Sequence, residues 1–354
     1  MQRMRNALGL LIIVSLVLTG CATSTPATQK PATAADATAA PANSSAAKEL
    51  VAFSQGTLEN EWRVLNTQEM ERAFKEAGYD FVWTDAKADP AKQLADVEDL
   101  LAKKPSLLVI APVEYEPLAP VKDMAEKAGV PLIVIDRAIP GEPGVGKWIA
   151  LLTIDFVETG TLVAEDAVQE LTKKYGSAQG KLVHITGTTG ASPVIDEQKG
   201  IDGVLAGSPN VKIVASCDGK YAREPGRKCM EDLLQKFSAG EIDGVIADND
   251  EMVLGAIQAI KAAGRTELLG WIWGKDGTKT GLEALLAGDM TMTVQTPPYF
   301  GALTVKVFED WKAGKAVEKL QYTPKERFDN DTAEERARVE KRIKELDEMK
   351  VGCC

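Results

Sequence analysis

With one histidine and five cysteines in 354 residues, the chain lacks most of the side chains that enzymes use for catalysis. His184 stands mid-run in the apolar KLVHIT, where a core position is the ordinary reading. No His/Cys cluster and no GxSxG elbow occurs, so the usual acid–base and nucleophilic constellations are missing. No metal site and no cofactor is expected, and the chain does not read as an enzyme. Gly187-Thr-Thr-Gly190 precedes a helix-like stretch but lacks the GK[ST] of a phosphate loop. Positive charge is also short: 41 Lys and Arg stand against 52 Asp and Glu, a net charge of −11. It becomes −13 (39 basic against 52 acidic residues) when Arg3 and Arg5 leave with a leader. Such an acidic balance disfavours nucleic acid and anionic membrane surfaces as partners. The apolar run Ala7–Val17 is too short to span a bilayer and has the length of a secretory h-region.

The residues just after that run set the address. Leu18-Thr19-Gly20-Cys21 resembles the bacterial lipobox, so residues 1–20 read as a lipoprotein signal peptide and Cys21 as the lipidated residue. Ala22 to Lys48 is Ala, Thr, Pro and Ser with hardly a charge; it cannot bury a core, and 21–48 reads as a disordered tether. The expected location is extracytoplasmic, on the outer face of the cytoplasmic membrane, with membrane contact through the lipid anchor only. Cys217 and Cys229 are either a disulfide, if the chain turns back between them, or two buried thiols. Cys353-Cys354 has no reading of its own.

The most informative stretch is VPLIVIDR, Val130–Arg137: a short apolar run that stops at Asp136 and Arg137. It reads as a strand of a parallel sheet buried on both faces. Ligands in open α/β sheets bind beyond the carboxyl ends of strands. A carboxylate and a guanidinium emerging there suit vicinal hydroxyls, or equally a structural ion pair. From Glu49 onward such runs alternate with helix-like segments: Leu50–Ser54, Phe81–Thr84, Leu107–Ala111 and Pro131–Asp136, with helices at Thr67–Ala77, Pro90–Ala102 and Leu118–Ala128. After Trp148–Ile154 and a long helix, Phe156–Tyr175, the pattern restarts. Its strands are Lys181–Thr186, Val211–Ala215, Gly244–Ala247 and Leu268–Trp273, with helices at Ser192–Ala206, Arg223–Ser238 and Asp250–Ala263. This is the signature of βαβ units, repeated to give two similar lobes with strand ends facing a shared cleft. In the charged tail, Val339, Ile343, Leu346 and Met349 recur at helical spacing, as for a helix docked on one lobe.

From Glu49 to about Asp331 the chain resembles the ribose-type periplasmic sugar-binding proteins. The resemblance rests on FSQGTLENEWR (Phe53–Arg63), VIAPVE (Val109–Glu114), VIDR (Val134–Arg137), GTTGASPVIDEQKG (Gly187–Gly200), IADNDEMVLGAIQAIKAAG (Ile246–Gly264), GKDG (Gly274–Gly277) and TVQTPP (Thr293–Pro298). FSQ with WR, APV and GASxxID resemble the galactofuranose-binding branch most. The family's fold implies two Rossmann-like α/β lobes, parallel sheets flanked by helices, joined by three hinge crossings in the manner of type I periplasmic binding proteins. The lobes would be 49–153 plus 296–320 and 154–295 plus 321–354.

The same resemblance assigns ligand-binding residues. Asn60, Trp62 and Arg63 follow the first strand, the indole serving as a plate for a sugar ring. Asp136 and Arg137 match the family's Asp-Arg pair. Asn249 matches its amide ligand, Asp276 its second acidic site, Gln295 a hinge position and Tyr221 an aromatic platform. Asp196 is carried over from the Ile-Asp of the galactofuranose branch. The residue after it is typically basic there, and Glu197 reverses that charge, while Lys275 adds a basic residue near the cleft. Ribose binders carry an arginine in the segment of Ile195–Glu197. The implied partners are a monosaccharide and the permease of an ABC transporter, with the protein a monomer. The alternative is a receptor that hands its closed sugar complex to a chemoreceptor or sensor kinase. A glycosidase would need one carboxylate kept protonated, whereas Asp136 stands beside Arg137.

Overall fold

The computed structural model describes residues 48–349; the signal segment, Cys21, the tether through residue 47 and Cys353-Cys354 lie outside the described residues. Two six-stranded sheets, each flanked by helices, organise the rest. The first takes β1 (Leu50–Gln55), β2 (Asp80–Asp85), β3 (Leu107–Ala111), β4 (Leu132–Asp136), β5 (Trp148–Thr153) and β11 (Leu320–Tyr322), in the order β11-β5-β4-β3-β1-β2, every pairing parallel. The second takes β6 (Gly180–Thr186), β7 (Val211–Asp218), β8 (Gly244–Ala247), β9 (Ile272–Asp276), β10 (Met292–Gln295) and β12 (Glu326–Asp329), in the order β12-β10-β9-β8-β6-β7; only β12 runs antiparallel, beside β10.

The unbroken apolar runs become strands because helices cover both their faces. β3 and β4 are buried at every residue. α1 (Glu61–Glu76) and α9 (Gly301–Lys312) close one face of the first sheet around Trp62, Met70, Phe74, Phe300 and Phe308. α2 (Pro90–Ala102) and α3 (Val121–Ala128) close the other around Val97, Leu100 and Val121. On the second sheet, α4 (Phe156–Tyr175) and α5 (Ser192–Ala206) cover one face. α6 (Arg223–Lys236), α7 (Asp250–Ala262), α8 (Lys279–Leu286) and α10 (Ala333–Met349) cover the other. Three of the four expected tail residues, Val339, Ile343 and Leu346, pack into that core, while Met349 stays exposed. No helix among the described residues is long and apolar enough to cross a membrane.

The chain passes between the sheets near 153–156, 295–301 and 322–326. The expected lobe boundary at 320/321 falls inside β11, which pairs with β5 through Tyr322. α1 begins at Glu61 rather than Thr67, because Asn60 caps it: the side chain accepts from the Arg63 N–H at 3.0 Å. β9 runs on through Lys275 and Asp276 instead of ending at Trp273. Cys217 and Cys229 are joined as a disulfide, with Cα atoms 6.0 Å apart. His184 is a core residue of β6, paired through Nε2 with Asp248 Oδ1 at 2.6 Å.

Candidate ligand-binding cleft

The ends of strands from both sheets meet around a narrow cleft between the lobes, the place where open α/β sheets bind ligands. Asn60, Trp62, Arg63, Asp136 and Arg137 line it from the first lobe, Pro193, Tyr221, Asn249, Lys275 and Asp276 from the second, and Ile154, Phe156 and Thr296 from the crossings. The lobes touch across it. Asn60 Nδ2 donates to the Tyr221 carbonyl at 3.2 Å, Tyr115 N to the Gly190 carbonyl at 2.8 Å and Ala138 N to Ser192 Oγ at 2.7 Å.

On the first-lobe side, Arg63 Nη2 is ion-paired with Asp136 Oδ2, and both side chains are almost wholly buried. Arg137 Nη1 donates to the Val113 carbonyl at 2.5 Å, and its Nε lies 3.9 Å from Asp136 Oδ2. Burial and the neighbouring Arg63 bring Arg137 down to about 10. The Trp62 indole N–H donates to the Thr296 carbonyl at 2.6 Å, which ties the first helix to a crossing; the ring belongs to the lobe core and to the cleft wall together.

On the second-lobe side, the Tyr221 ring lies against Gly187, where an added Cβ would come within 1.9 Å of Tyr221 Cζ. Gly187 therefore serves the aromatic plate, and its N–H donates to the Asp248 carboxylate, through Oδ2 at 2.7 Å, and not to a bound phosphate. Asn249 caps α7, accepting from Met252 N at 3.0 Å, and its Nδ2 donates to the Tyr221 carbonyl at 3.2 Å. Asp276 Oδ1 accepts from Thr296 Oγ1 at 2.8 Å. Burial raises Asp276 to about 6, with Lys275 pulling the other way. Lys275 Nζ is bonded to Glu197 Oε1 at 2.5 Å. Burial raises Glu197, opposed by that ammonium; burial works to lower Lys275, and the Glu197 and Asp276 carboxylates outweigh it and raise it.

Two features mark this cleft as more than a seam between lobes. Arg63 Nη1, Arg137 Nε and the Tyr221 hydroxyl are buried with no hydrogen-bond partner among the described residues, and such groups carry a desolvation cost until something meets them. Asp136, Tyr221 and Asp276 all hold left-handed backbone, with φ of 59°, 58° and 106°. Strain of that kind gathers at ligand clamps.

Of the ten ligand-binding residues expected from sequence, eight line this cleft; Asp196 and Gln295 do not. Asp196 lies in a neighbouring gap, beside Ala138, Leu151 and Ser192, and pairs with Lys199 at 2.7 Å, whereas Pro193 enters the cleft and Glu197, one turn on from it, packs behind Lys275. Gln295 is buried beside α10, where turning its amide over brings the oxygen 2.9 Å from Arg342 Nε and Nη2 as an acceptor. Its neighbour Thr296 faces the cleft instead. Trp62 stands in the first turn of α1, not in a loop. Lys275 and Phe156 line the cleft, and Glu197 stands behind Lys275, none of them having been assigned as ligand-binding; the reversed charge at Glu197 was the available signal.

Comparison with known proteins agrees with this architecture. Residues 51–316 match the model of a periplasmic binding protein domain. The galactofuranose-binding protein of Escherichia coli K12 is 30% identical over 304 residues, 84% of this chain and 93% of that protein. The arabinose ABC transporter's periplasmic binding component from Shewanella sp. ANA-3, solved with bound α- and β-L-arabinofuranose, superposes with a TM-score of 0.75 at 30% identity, covering 85% of this chain and 98% of that one. A fructose-binding periplasmic domain of a hybrid two-component system gives 0.74 at 26% identity, with 85% and 97% covered. These relatives are named for binding and not for a reaction, and the chain, two sheet-and-helix lobes around a polar cleft, belongs to the periplasmic binding protein family.

Proposed function

We propose that the protein is the extracytoplasmic substrate-binding lipoprotein of an ABC-type sugar importer and takes a monosaccharide, galactofuranose or a similar hexose or pentose, between its lobes. The observation that carries this reading is the set of unsatisfied buried donors, Arg63 Nη1, Arg137 Nε and the Tyr221 hydroxyl, on residues that line one cleft together with the carboxylates of Asp136 and Asp276. Sugar hydroxyls donate and accept at once and complement such a mixed set. The aromatic faces of Trp62 and Tyr221 suit the C–H faces of a ring. The furanose ligands named for two relatives support the five-membered ring form.

The mechanism is hinge closure. Each lobe offers part of the polar set, so only the closed form satisfies every hydroxyl, and ligand shifts the population toward it. The closed pair of lobe faces is then the surface that a permease distinguishes from the open one. Lipidation at Cys21 keeps the protein beside that permease, as a monomer. Thermal-shift and calorimetric titration of the purified secreted protein against a monosaccharide panel tests the binding, because a ligand selective for the folded closed form raises Tm by mass action. No shift with any sugar would refute it. The similarity to a two-component periplasmic domain keeps a sensing role as the second reading; co-purification with a permease rather than a sensor kinase decides between them.

A further inference from the structure

We infer that Lys275 is a ligand-contacting, specificity-determining residue of this cleft, and that Glu197 is the positioning residue that holds its ammonium in place. This rests on the sugar-binding reading and narrows it: the second lobe presents a cation, so the ligand turns acceptor oxygens toward the end of β9.

Lys275 lines the cleft although it is only 5% exposed, and its Nζ lies 4.8 Å from the Phe156 ring centre and 5.2 Å from that of Tyr221, two rings of the cleft wall. An ammonium has three donors. One goes to Glu197 Oε1 at 2.5 Å, and no other hydrogen-bond acceptor meets it among the described residues, so two remain for a ligand. Glu197 is held from behind. α4 and α5 cross so closely that a Cβ at Gly160 would come within 2.2 Å of the Glu197 carbonyl oxygen, and one at Gly200 within 2.1 Å of that of Val157. With α5 seated in this way Glu197 meets Lys275, while Asp196 lies in the separate gap beside Ala138 and Leu151. A purely structural pair is a poor account of the arrangement, since a buried ion pair is often replaceable by apolar side chains without loss of stability. Charge gives the ligand class. The cleft wall carries the cations Arg63, Arg137 and Lys275 and the carboxylates Asp136 and Asp276, and Glu197 directly behind Lys275 completes a balance of three against three, which suits a neutral polyol rather than a uronate or a sugar phosphate. The charged groups around Lys275 are Glu197 from α5, Asp276 beside it on β9 and Asp248 from the turn after β8.

The test is calorimetric titration of the secreted protein with neutral sugars and with galacturonate, across pH. The wild type is expected to prefer a neutral sugar, and Lys275→Met to weaken that binding at least about tenfold. Glu197→Gln keeps an acceptor but removes the charge that supports the ammonium. Its affinity is therefore expected to fall away at a lower alkaline pH than the wild type's, a shift that a merely structural role would not produce. If Lys275→Met fails to fold because Glu197 is left unpaired, the double variant Glu197→Met/Lys275→Met restores folding and is expected to show the same loss. Affinity within about twofold of wild type in either Lys275 variant, an unmoved alkaline limb in Glu197→Gln, or a preference for galacturonate would overturn the inference. A wild type that binds no sugar would overturn the sugar-binding reading together with it, whereas intact sugar binding by the Lys275 variants overturns this inference alone.

Discussion

The Arg63 guanidinium and the Asp136 carboxylate, 73 residues apart, form an ion pair at the mouth of α1 and the end of β4, with side chains only 6% and 5% exposed. Removing one partner of such a pair leaves the other as an uncompensated buried charge. Asp136→Ala should therefore lose about 3–5 kcal/mol of stability. Asp136→Asn tolerates the left-handed backbone and keeps one acceptor, and should lose about 1–3 kcal/mol. Both should weaken sugar binding by about a hundredfold. Urea unfolding and calorimetry read the two effects separately, and an Asn variant that binds as wild type does would remove Asp136 from the site.

Trp62 serves two masters, a lobe core and the cleft wall. Trp62→Phe keeps an aromatic face but loses the bond to the Thr296 carbonyl, a cost of about 1 kcal/mol. Trp62→Ala also leaves a cavity beside Phe300 and should cost about 3–5 kcal/mol. Affinity should fall in the same order, Ala below Phe. Equal affinity in all three proteins would mean that the ring is core alone.

Stability of the sugar-free protein should decline as pH rises from about 5 to about 8. Burial raises Asp250 to about 8, helped by the nearby Asp276, and raises Asp276 to about 6. In this window the folded state keeps protons that the unfolded chain has already released, so unfolding releases protons and ΔG of unfolding falls with increasing pH. His184 adds the same sign: burial alone would lower it, but Asp248 outweighs burial and raises it, a stabilisation present at low pH and lost as pH climbs through the raised value. Asp248 is held low by His184 against burial and titrates below this range. A Tm measured at pH 5.5 should exceed that at pH 8, and Asp250→Asn should flatten the difference. A Tm that rises instead would show that these carboxyls stay ionised in the fold.

The Cys217–Cys229 disulfide closes a short loop that contains Tyr221 and its left-handed backbone. Reduction should lower stability by about 2–4 kcal/mol and also weaken sugar binding, since the plate would no longer be held against Gly187. Thiol titration of the secreted protein with and without reductant, followed by unfolding and calorimetry, checks both. A free thiol at Cys217 or Cys229 in the untreated protein, located by peptide mapping so that Cys353 and Cys354 are not counted, would contradict the pairing.

Much of this was legible in the chain itself. Asp136, Arg137 and Asn249 stand where apolar runs stop, and strand ends of a parallel sheet face the cleft by construction. The misses have a common cause. Asp196 and Glu197 are adjacent, and which of them faces inward depends on how α5 seats on α4 at Gly160 and Gly200, not on α5 alone. Gln295 looked like a cleft residue because its partner, Arg342, arrives from the last helix. Trp62 in a polar stretch hid a helix start, because Asn60 supplies the cap.

Local pattern by itself determined the order and kind of elements, since strand and helix periods and their caps are properties of neighbouring residues. It also placed polar groups at strand ends. Only the tertiary structure decided the pairings: Lys275 with Glu197, 78 residues apart, and Trp62 with the Thr296 carbonyl, 234 residues apart. Such contacts follow from the stacking of helices on sheets and the meeting of two lobes, and burial then makes each polar group depend on a partner that short-range sequence does not specify.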